Sequence, residues 1–554
     1  MEDKDLKEKR LNEEKELYDK KKYKQNKGKK FMRNLFSGFF VFILLLIAQV
    51  GIFVFFQFKF DDILLTFGVN TENDLAVRAL IYLGLKGIEF IISFIIFFKI
   101  LNKIEDPEFK IPWIVGMLLM PLLFSLLFLI FGNHGLRKKD KIIVKATRKA
   151  YRYYFELESP KYDEALAELG HAYGTFKYIQ STTRLGVFKN NRVTYYKTGE
   201  EFFPEMMKCL RLAKEFIFIE FFIIDEGDLW KETLGILKQK AAEGVKVRII
   251  YDDMGCSGTI DPKLPKKLKE FGIDAFKFHP FRPILSGVYN NRDHRKIVII
   301  DHQMAFTGGM NLGDEYANKY ERFGYWKDTM VKIEGSAINN LLVTFLQNYN
   351  LCIQNVSDYN RYIMYDYPKY EEEGYVMPFG DGPGGIDDAL IGEQNYINML
   401  NYATKTCYIS TPYLVPTYPL LDALRNAANR GVDVRLIVPG IPDKKMVYKV
   451  AQSHFKFLIE AGVRIYIYKP GFNHMKSMLC DDELAFVGTI NFDFRSLVHH
   501  FECGTILYKN PCIKDIKEDF LEMLSVSELV PEDFKLSLFN RALCSIIKLI
   551  QTLL

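Results

Sequence analysis

Apolar positions follow two regimes along the chain. Up to about residue 134 they come in long runs. Residues 35–58 are 24 positions without a charge, and 111–132 form a second uncharged run with Trp113 near one edge. A helix over the first run is about 36 Å long, enough to cross the hydrocarbon core of a bilayer. It is too long, and starts too far from residue 1, for an ordinary signal peptide. Between the two, 79–101 is a weaker candidate, with Lys86 and Glu89 on one helical face and Lys99 near its end. A lysine at the bilayer centre costs about 2.5–3.5 kcal/mol on insertion scales, so it needs a partner or a route to the interface. The pattern predicts two full spans plus one re-entrant or surface segment.

Past residue 150 the second regime begins, with short apolar strands alternating with amphipathic helices. Residues 237–251 (LKQKAAEGVKVRIIY) resemble residues 424–438 (LRNAANRGVDVRLIV). Each reads as a helix ended by a glycine, Gly244 or Gly431, followed by a buried strand. A second helix-to-strand unit follows in each half through Gly272 and Gly462, and each half opens with an apolar strand, 216–224 and 407–414. The expected fold is therefore α/β: two similar halves, preceded by an α-helical membrane region. The expected boundaries are a charged tail at 1–33, a membrane region at 34–134, and a basic juxtamembrane linker at 135–185. The first half follows at 186–340, an inter-half linker at 341–390, the second half at 391–525, and an amphipathic segment at 526–554 that lies on a membrane or docks on the protein. Residues 283–292 are expected as a loop over the site, and 380–385 as an exposed loop.

The net charge of +5 is modest, but residues 20–33 hold eight Lys/Arg and no acid, and a second basic cluster spans 137–152. Both flank apolar runs, which points to anionic lipid rather than nucleic acid as the partner. The positive-inside rule would put both on the cytoplasmic side. The eight cysteines show no zinc spacing and no Cys-x-x-Cys, so free thiols, no metal site and no cofactor are expected.

Against this background one motif occurs twice. His294, Lys296, Asp301, Gly308 and Asn311 recur at identical offsets as His474, Lys476, Asp481, Gly488 and Asn491. The motif reads His-x-Lys-x4-Asp-x6-Gly-x-x-Asn. On a strand, His and Lys two apart share a face, while the aspartate sits at an odd offset. The candidate catalytic set is thus His294, Lys296, Asp301, His474, Lys476 and Asp481, with the aspartates expected to support the motif rather than touch reacting atoms. Asn311 and Asn491 are candidates to bind a phosphate. Glu220 and Glu502 are candidates to orient the imidazoles. Two imidazoles, two ammonium groups and two amides suit transfer of a phosphodiester without a metal.

The duplicated motif resembles that of the phospholipase D superfamily over about residues 190–520, which implies two similar α/β halves with the active site between them. The flanking residues 291–301, 307–316, Trp326 to Asp328, 410–416, 471–476, 487–496 and Phe501-Glu502 are similar to those of bacterial cardiolipin synthases, as is the region around Trp113, Pro121 and Gly132. The family usually has Asn where this chain has His500. The resemblance implies a phosphatidyl-histidine intermediate and transfer from one phosphatidylglycerol to another, giving cardiolipin and glycerol at the bacterial membrane. His294 is favoured as the nucleophile and His474 as the acid/base. The rivals are a hydrolytic phospholipase D, a nuclease, and a non-catalytic lipid-binding scaffold.

Overall fold

This computed structural model describes residues 75–103, 107–132, 135–280, 290–357, 359–383 and 389–548. The uncharged run 35–58 and the basic tail lie outside the described residues, as do most of 283–292 and the end of the 526–554 segment. The chain divides into two compact units, one up to Asn133 and one holding nearly all of the rest.

The first unit is helical: Leu75–Leu101, Pro107–Leu119 and Pro121–Phe131. Ile96, Ile100, Trp113, Met117, Leu123, Leu127 and Phe128 form its core. The 111–132 run was expected as a candidate membrane span. It is instead broken at Met120, because Pro121 supplies no N–H to continue the ladder and opens a new helix at its first turn. Lys86 finds its partner in Glu89 at 2.7 Å. Among the described residues, no helix is both long and apolar enough to cross a membrane. The surface of this unit is nevertheless apolar, with Leu118 and Leu119 each 76% exposed.

In the second unit the 135–185 segment, expected as a linker, folds into the helices Lys138–Leu157, Ser159–Ala167 and Tyr173–Thr183. The strands follow. They are β1 (Phe188–Lys189), β2 (Arg192–Tyr196), β3 (Phe216–Phe221), β4 (Lys246–Asp252), β5 (Asp274–Phe278), β6 (Lys296–Ile300), β7 (Met304–Gly308), β8 (Tyr325–Lys327) and β9 (Met330–Glu334). After the helix Ile338–Ile353 come β10 (Tyr375–Asp381), β11 (Thr406–Ser410), β12 (Leu414–Val415), β13 (Asp433–Pro439), β14 (Arg464–Tyr468) and β15 (Gly471–Asn473). The last are β16 (Ser477–Cys480), β17 (Leu484–Gly488), β18 (Phe492–Asp493), β19 (Glu502–Tyr508) and β20 (Ser527–Leu529).

Two sheets dominate. One runs β2-β9-β7-β6-β3-β4-β5, and the other β1-β10-β19-β17-β16-β11-β13-β14-β20. Apart from the added edges β1 and β20, the two orders match strand for strand, so the sequence repeat is a structural one. Gly244 and Gly431 end equivalent helices at φ of 93° and 91°, a conformation that costs glycine little. Gly380 and Asp381, expected in a loop, instead close β10.

A two-residue join crosses between the sheets, besides the helix Ile338–Ile353 that leads from β9 to β10. β1 pairs with β10 of the second sheet, while β2, two residues later, pairs with β9 of the first. The turn at Asn190 takes a positive φ of 58°, and Asn191 fixes it by donating to the Lys189 carbonyl at 2.7 Å and accepting from Ala337 N–H at 2.8 Å.

Near the carboxyl end, the helix Leu538–Lys548 docks through Cys544 and Ile547 but leaves Leu538 and Phe539 largely exposed. The eight cysteines are unpaired.

Candidate active site

β6 and β16 are buried on both faces, and each is the central strand of its sheet. The histidines sit just ahead of them, and each is held by backbone from the opposite half. His294 N–H donates to the Phe501 carbonyl at 2.8 Å, and Phe501 N–H to the Arg292 carbonyl at 2.8 Å. In the mirrored position His474 N–H donates to the Lys327 carbonyl at 2.7 Å, where β15 runs parallel to β8.

The side chains repeat the exchange. His294 Nδ1 lies 3.0 Å from both carboxylate oxygens of Glu502, which opens β19 of the second half. His474 Nδ1 lies 2.5 Å from Oδ2 of Asp328, which precedes β9 of the first half. Each acid therefore holds the histidine of the other half. A carboxylate on Nδ1 fixes that nitrogen as the N–H, which leaves Nε2 as the ring nitrogen open to a substrate. Thr489 Oγ1 donates to the second oxygen of Glu502. Arg295, the middle residue of the first motif, is fully buried and donates to the Glu502 carbonyl at 3.0 Å, the Thr344 carbonyl at 2.7 Å and the Asp381 carbonyl at 2.9 Å.

Lys296 and Lys476 turn back on the carbonyls of His294 and His474. Both lysines and both histidines are buried. Burial lowers the Lys296 ammonium to about 8, with Glu502 and Asp328 opposing, and the Lys476 ammonium to about 7, with Asp328 opposing and Lys296 adding to the fall. Burial and then the neighbouring lysines push His294 well below its usual range, and burial and Lys476 bring His474 to about 4. Glu502 and Asp328 thus face two lysines and two histidines whose positive charge burial disfavours, and a bound anion would restore that charge. An anion entering it meets preorganised donors in a dry environment.

The motif aspartates lie elsewhere. Asp301 accepts from the N–H groups of Lys214, Glu215 and Phe216 at 2.9, 2.8 and 2.8 Å. Asp481 accepts from those of Thr404, Lys405 and Thr406 at 2.7, 2.8 and 2.8 Å. Both carry a positive φ, 50° and 51°, and both tie the turn after the motif strand to the turn that starts the neighbouring strand, β3 or β11.

Comparison with known proteins matches this architecture. Residues 206–344 and 396–524 match a family model described as "Cardiolipin synthase, PLD-like domain". The chain is 34% identical over 468 residues to a cardiolipin synthase of Clostridium perfringens, covering 81% of this chain and 95% of that protein. It is 31% identical over 444 residues to a cardiolipin synthase of Alkalihalophilus pseudofirmus, covering 79% and 86%. It belongs to the cardiolipin synthase family. As a member of that family it is an enzyme, a phosphatidyltransferase of the phospholipase D type. An uncharacterized protein of Streptococcus mutans is 42% identical over 433 residues, covering 78% of this chain and 93% of that one. The fold is also that of a phosphatidylserine synthase from Haemophilus influenzae, with a TM-score of 0.53 at 15% identity, covering 69% of this chain and all of that one.

Several expected site residues of this family member take other places. Glu220 was expected to orient a histidine. It lies on β3, accepts from Asn348 Nδ2 at 2.8 Å, and burial pushes its carboxyl well above the ordinary carboxylate range. Its hydrogen bond goes to Asn348 on the helix Ile338–Ile353 rather than to an imidazole, and Asp328 takes the orienting place on His474. Asn311 spends its amide on the Tyr316 hydroxyl at 2.6 Å and its oxygen on Ile223 N–H at 3.0 Å. Asn491 is buried with its Oδ1 unpartnered. The cysteines showed no metal spacing, yet the fold brings His294, His500 and Glu502 together. Asp328 had a signal in the sequence: an acid follows each motif histidine by about thirty residues, and an aromatic ring or imidazole stands two positions before each acid.

Proposed function

We propose that this chain is a cardiolipin synthase that joins two phosphatidylglycerols by two in-line transfers at one phosphorus. The observation that carries the reading is the reciprocal pair of histidine–carboxylate contacts inside a pocket of four buried basic groups. Nε2 of His294 attacks the phosphorus of the first lipid, forming the N–P bond as the bond to the leaving glycerol breaks. His474, protonated once the phosphate is bound, gives its Nε2 proton to that glycerol oxygen. Neutral His474 then takes the proton of the second lipid's glycerol hydroxyl. That oxygen attacks phosphorus, the N–P bond breaks, and cardiolipin forms with His294 restored. Lys296, Lys476 and Asn491 surround the phosphate oxygens. One phosphodiester replaces another, so no nucleotide is required.

Bacterial membrane association fits the same reading. The run 35–58 would anchor the chain, with the basic clusters contributing about 1 kcal/mol per nearby Lys/Arg against anionic lipid. The exposed Leu118 and Leu119 of the first unit would contact lipid, and the catalytic unit would face the cytoplasm. Membranes containing the protein, incubated with phosphatidylglycerol and no nucleotide, should yield cardiolipin and glycerol by mass spectrometry. Phosphatidic acid alone would identify a hydrolase instead. Absence of turnover on phosphatidylglycerol would leave a lipid-binding scaffold or, where DNA supplied separately is cut, a nuclease.

A further inference from the structure

The two halves match closely around their histidines, but they differ in the residue that stands two positions before each orienting acid. Trp326 stands two residues before Asp328, and its ring lies 5.4 Å from that of His474. His500 stands two residues before Glu502, and its ring lies 5.4 Å from that of His294. The second-motif histidine is therefore packed by Trp326, Tyr316 and Phe472, at 5.4, 5.7 and 5.5 Å, whereas the first-motif histidine has a second imidazole at its side. Nδ1 of His500 is 3.4 Å from Glu502 Oε1, and Nδ1 of His294 is 3.0 Å from the same oxygen. One ligand atom from each of the three residues lies within 4.8 Å of the others.

Zinc binds imidazole nitrogen at about 2.0–2.1 Å and carboxylate oxygen at about 2.0–2.2 Å, which sets neighbouring tetrahedral ligand atoms about 3.3 Å apart. The two nitrogen–oxygen separations here match that figure. Two imidazoles and one carboxylate, with a fourth position left for water, form a donor set suited to zinc and its neighbours rather than to magnesium or calcium.

We propose that His294, His500 and Glu502 form a regulatory zinc site that holds the nucleophile in an inactive tautomer. A cation on Nδ1 of His294 takes the lone pair of that nitrogen, so the single proton of the neutral ring moves from Nδ1 to Nε2. Nε2 then carries a hydrogen where the transfer needs a lone pair. The N–H that donated to Glu502 is replaced by a metal bond, with no net proton lost from the ring. His500 offers its own Nδ1 lone pair and keeps its proton on Nε2. The other half cannot do this, because Trp326 occupies the equivalent place and an indole ligates no metal.

The inhibitory part rests on the transfer scheme proposed above, whereas metal binding does not. The test uses full-length protein in detergent, freed of metal by chelation, with Zn2+ as the probe and Mg2+ as the control. Calorimetry should show one zinc bound per chain, and Co2+ should give the visible absorption of a four-coordinate ion. Cardiolipin formation should fall as zinc saturates, with magnesium inert. His500→Asn should keep its activity in chelator, lose at least tenfold in zinc affinity and sensitivity, and lose the Co2+ spectrum. Equal binding and inhibition in the two proteins would overturn the proposal, as would no specific zinc binding to the natural chain. Calorimetry and the Co2+ spectrum need no activity, so they decide the site even where a variant is inactive or where phosphatidyl transfer itself is not found.

Discussion

Glu502 holds His294 through both carboxylate oxygens at 3.0 Å, although the two residues belong to different halves of the repeat. Asp328 returns the arrangement on His474. If these acids fix the Nδ1–H tautomer, amide replacements that keep the shape but lose the charge should be severe. Glu502→Gln and Asp328→Asn should each lower kcat by about 10²–10⁴-fold. The fold should remain, as read by circular dichroism. A loss of less than threefold in either would show that the carboxylate is not needed to orient its ring.

The histidines themselves should be indispensable. His294→Ala and His474→Ala should each abolish nearly all cardiolipin formation, in a membrane assay with phosphatidylglycerol alone. Substantial residual activity in either variant would break the two-histidine scheme.

The motif aspartates should separate stability from chemistry. Asp301→Asn and Asp481→Asn weaken charge-assisted bonds to three successive N–H groups, and each should cost about 1–3 kcal/mol of stability. Thermal denaturation would show the loss, while kcat per folded molecule should change little. A large fall in kcat at unchanged Tm would place these carboxylates in the chemistry after all.

Anion binding should take up protons. The empty site holds Lys476 at about 7, Lys296 at about 8 and His474 at about 4, and an anion raises all three. Calorimetry with sulfate at pH 8, in two buffers of different ionisation enthalpy, should show net proton uptake. Heats independent of buffer would contradict it. KM for the anionic lipid should rise as pH climbs through about 7 to 8 and the lysines lose charge.

The same shifts fix the direction of stability. Both lysines have folded values below the unfolded one of about 10.4. The unfolded chain therefore binds more protons between about 7 and 10, and stability rises with pH across that window. Lys476→Met should remove the penalty, raising Tm at pH 7 while abolishing transfer. A lower Tm in that variant would mean the ammonium is well paired in the empty site.

Much of this site was legible before any coordinates. Period-two geometry separated His294 and Lys296 from Asp301, and the aspartates are indeed bound to backbone turns. The repeated helix–glycine–strand segments anticipated equivalent strands in two sheets. What the sequence hid is long-range pairing across the halves. The spacing that Asp328 shares with Glu502 sets it apart from Glu220, but spacing alone does not say which histidine each acid meets. Only the fold shows that a helix covers Glu220 while Asp328 reaches the opposite half. The membrane runs were misjudged in one respect, because a continuous apolar stretch does not reveal that Pro121 starts a new helix. His500 stood out only as an unusual residue, and its nearness to His294 depends on the bridge between Phe501 and the strand end at Asp293.

The two-residue link between β1 and β2 bears on how a lipid reaches the pocket. The edge strands of the two sheets are consecutive in the chain, so the halves are laced together along that side. Spreading them apart would strip either β1 from β10 or β2 from β9, unzipping a row of ladder bonds. Substrate entry by a clam-like opening is therefore disfavoured on this side. A lipid headgroup must therefore reach the histidines without the two sheets parting along this edge.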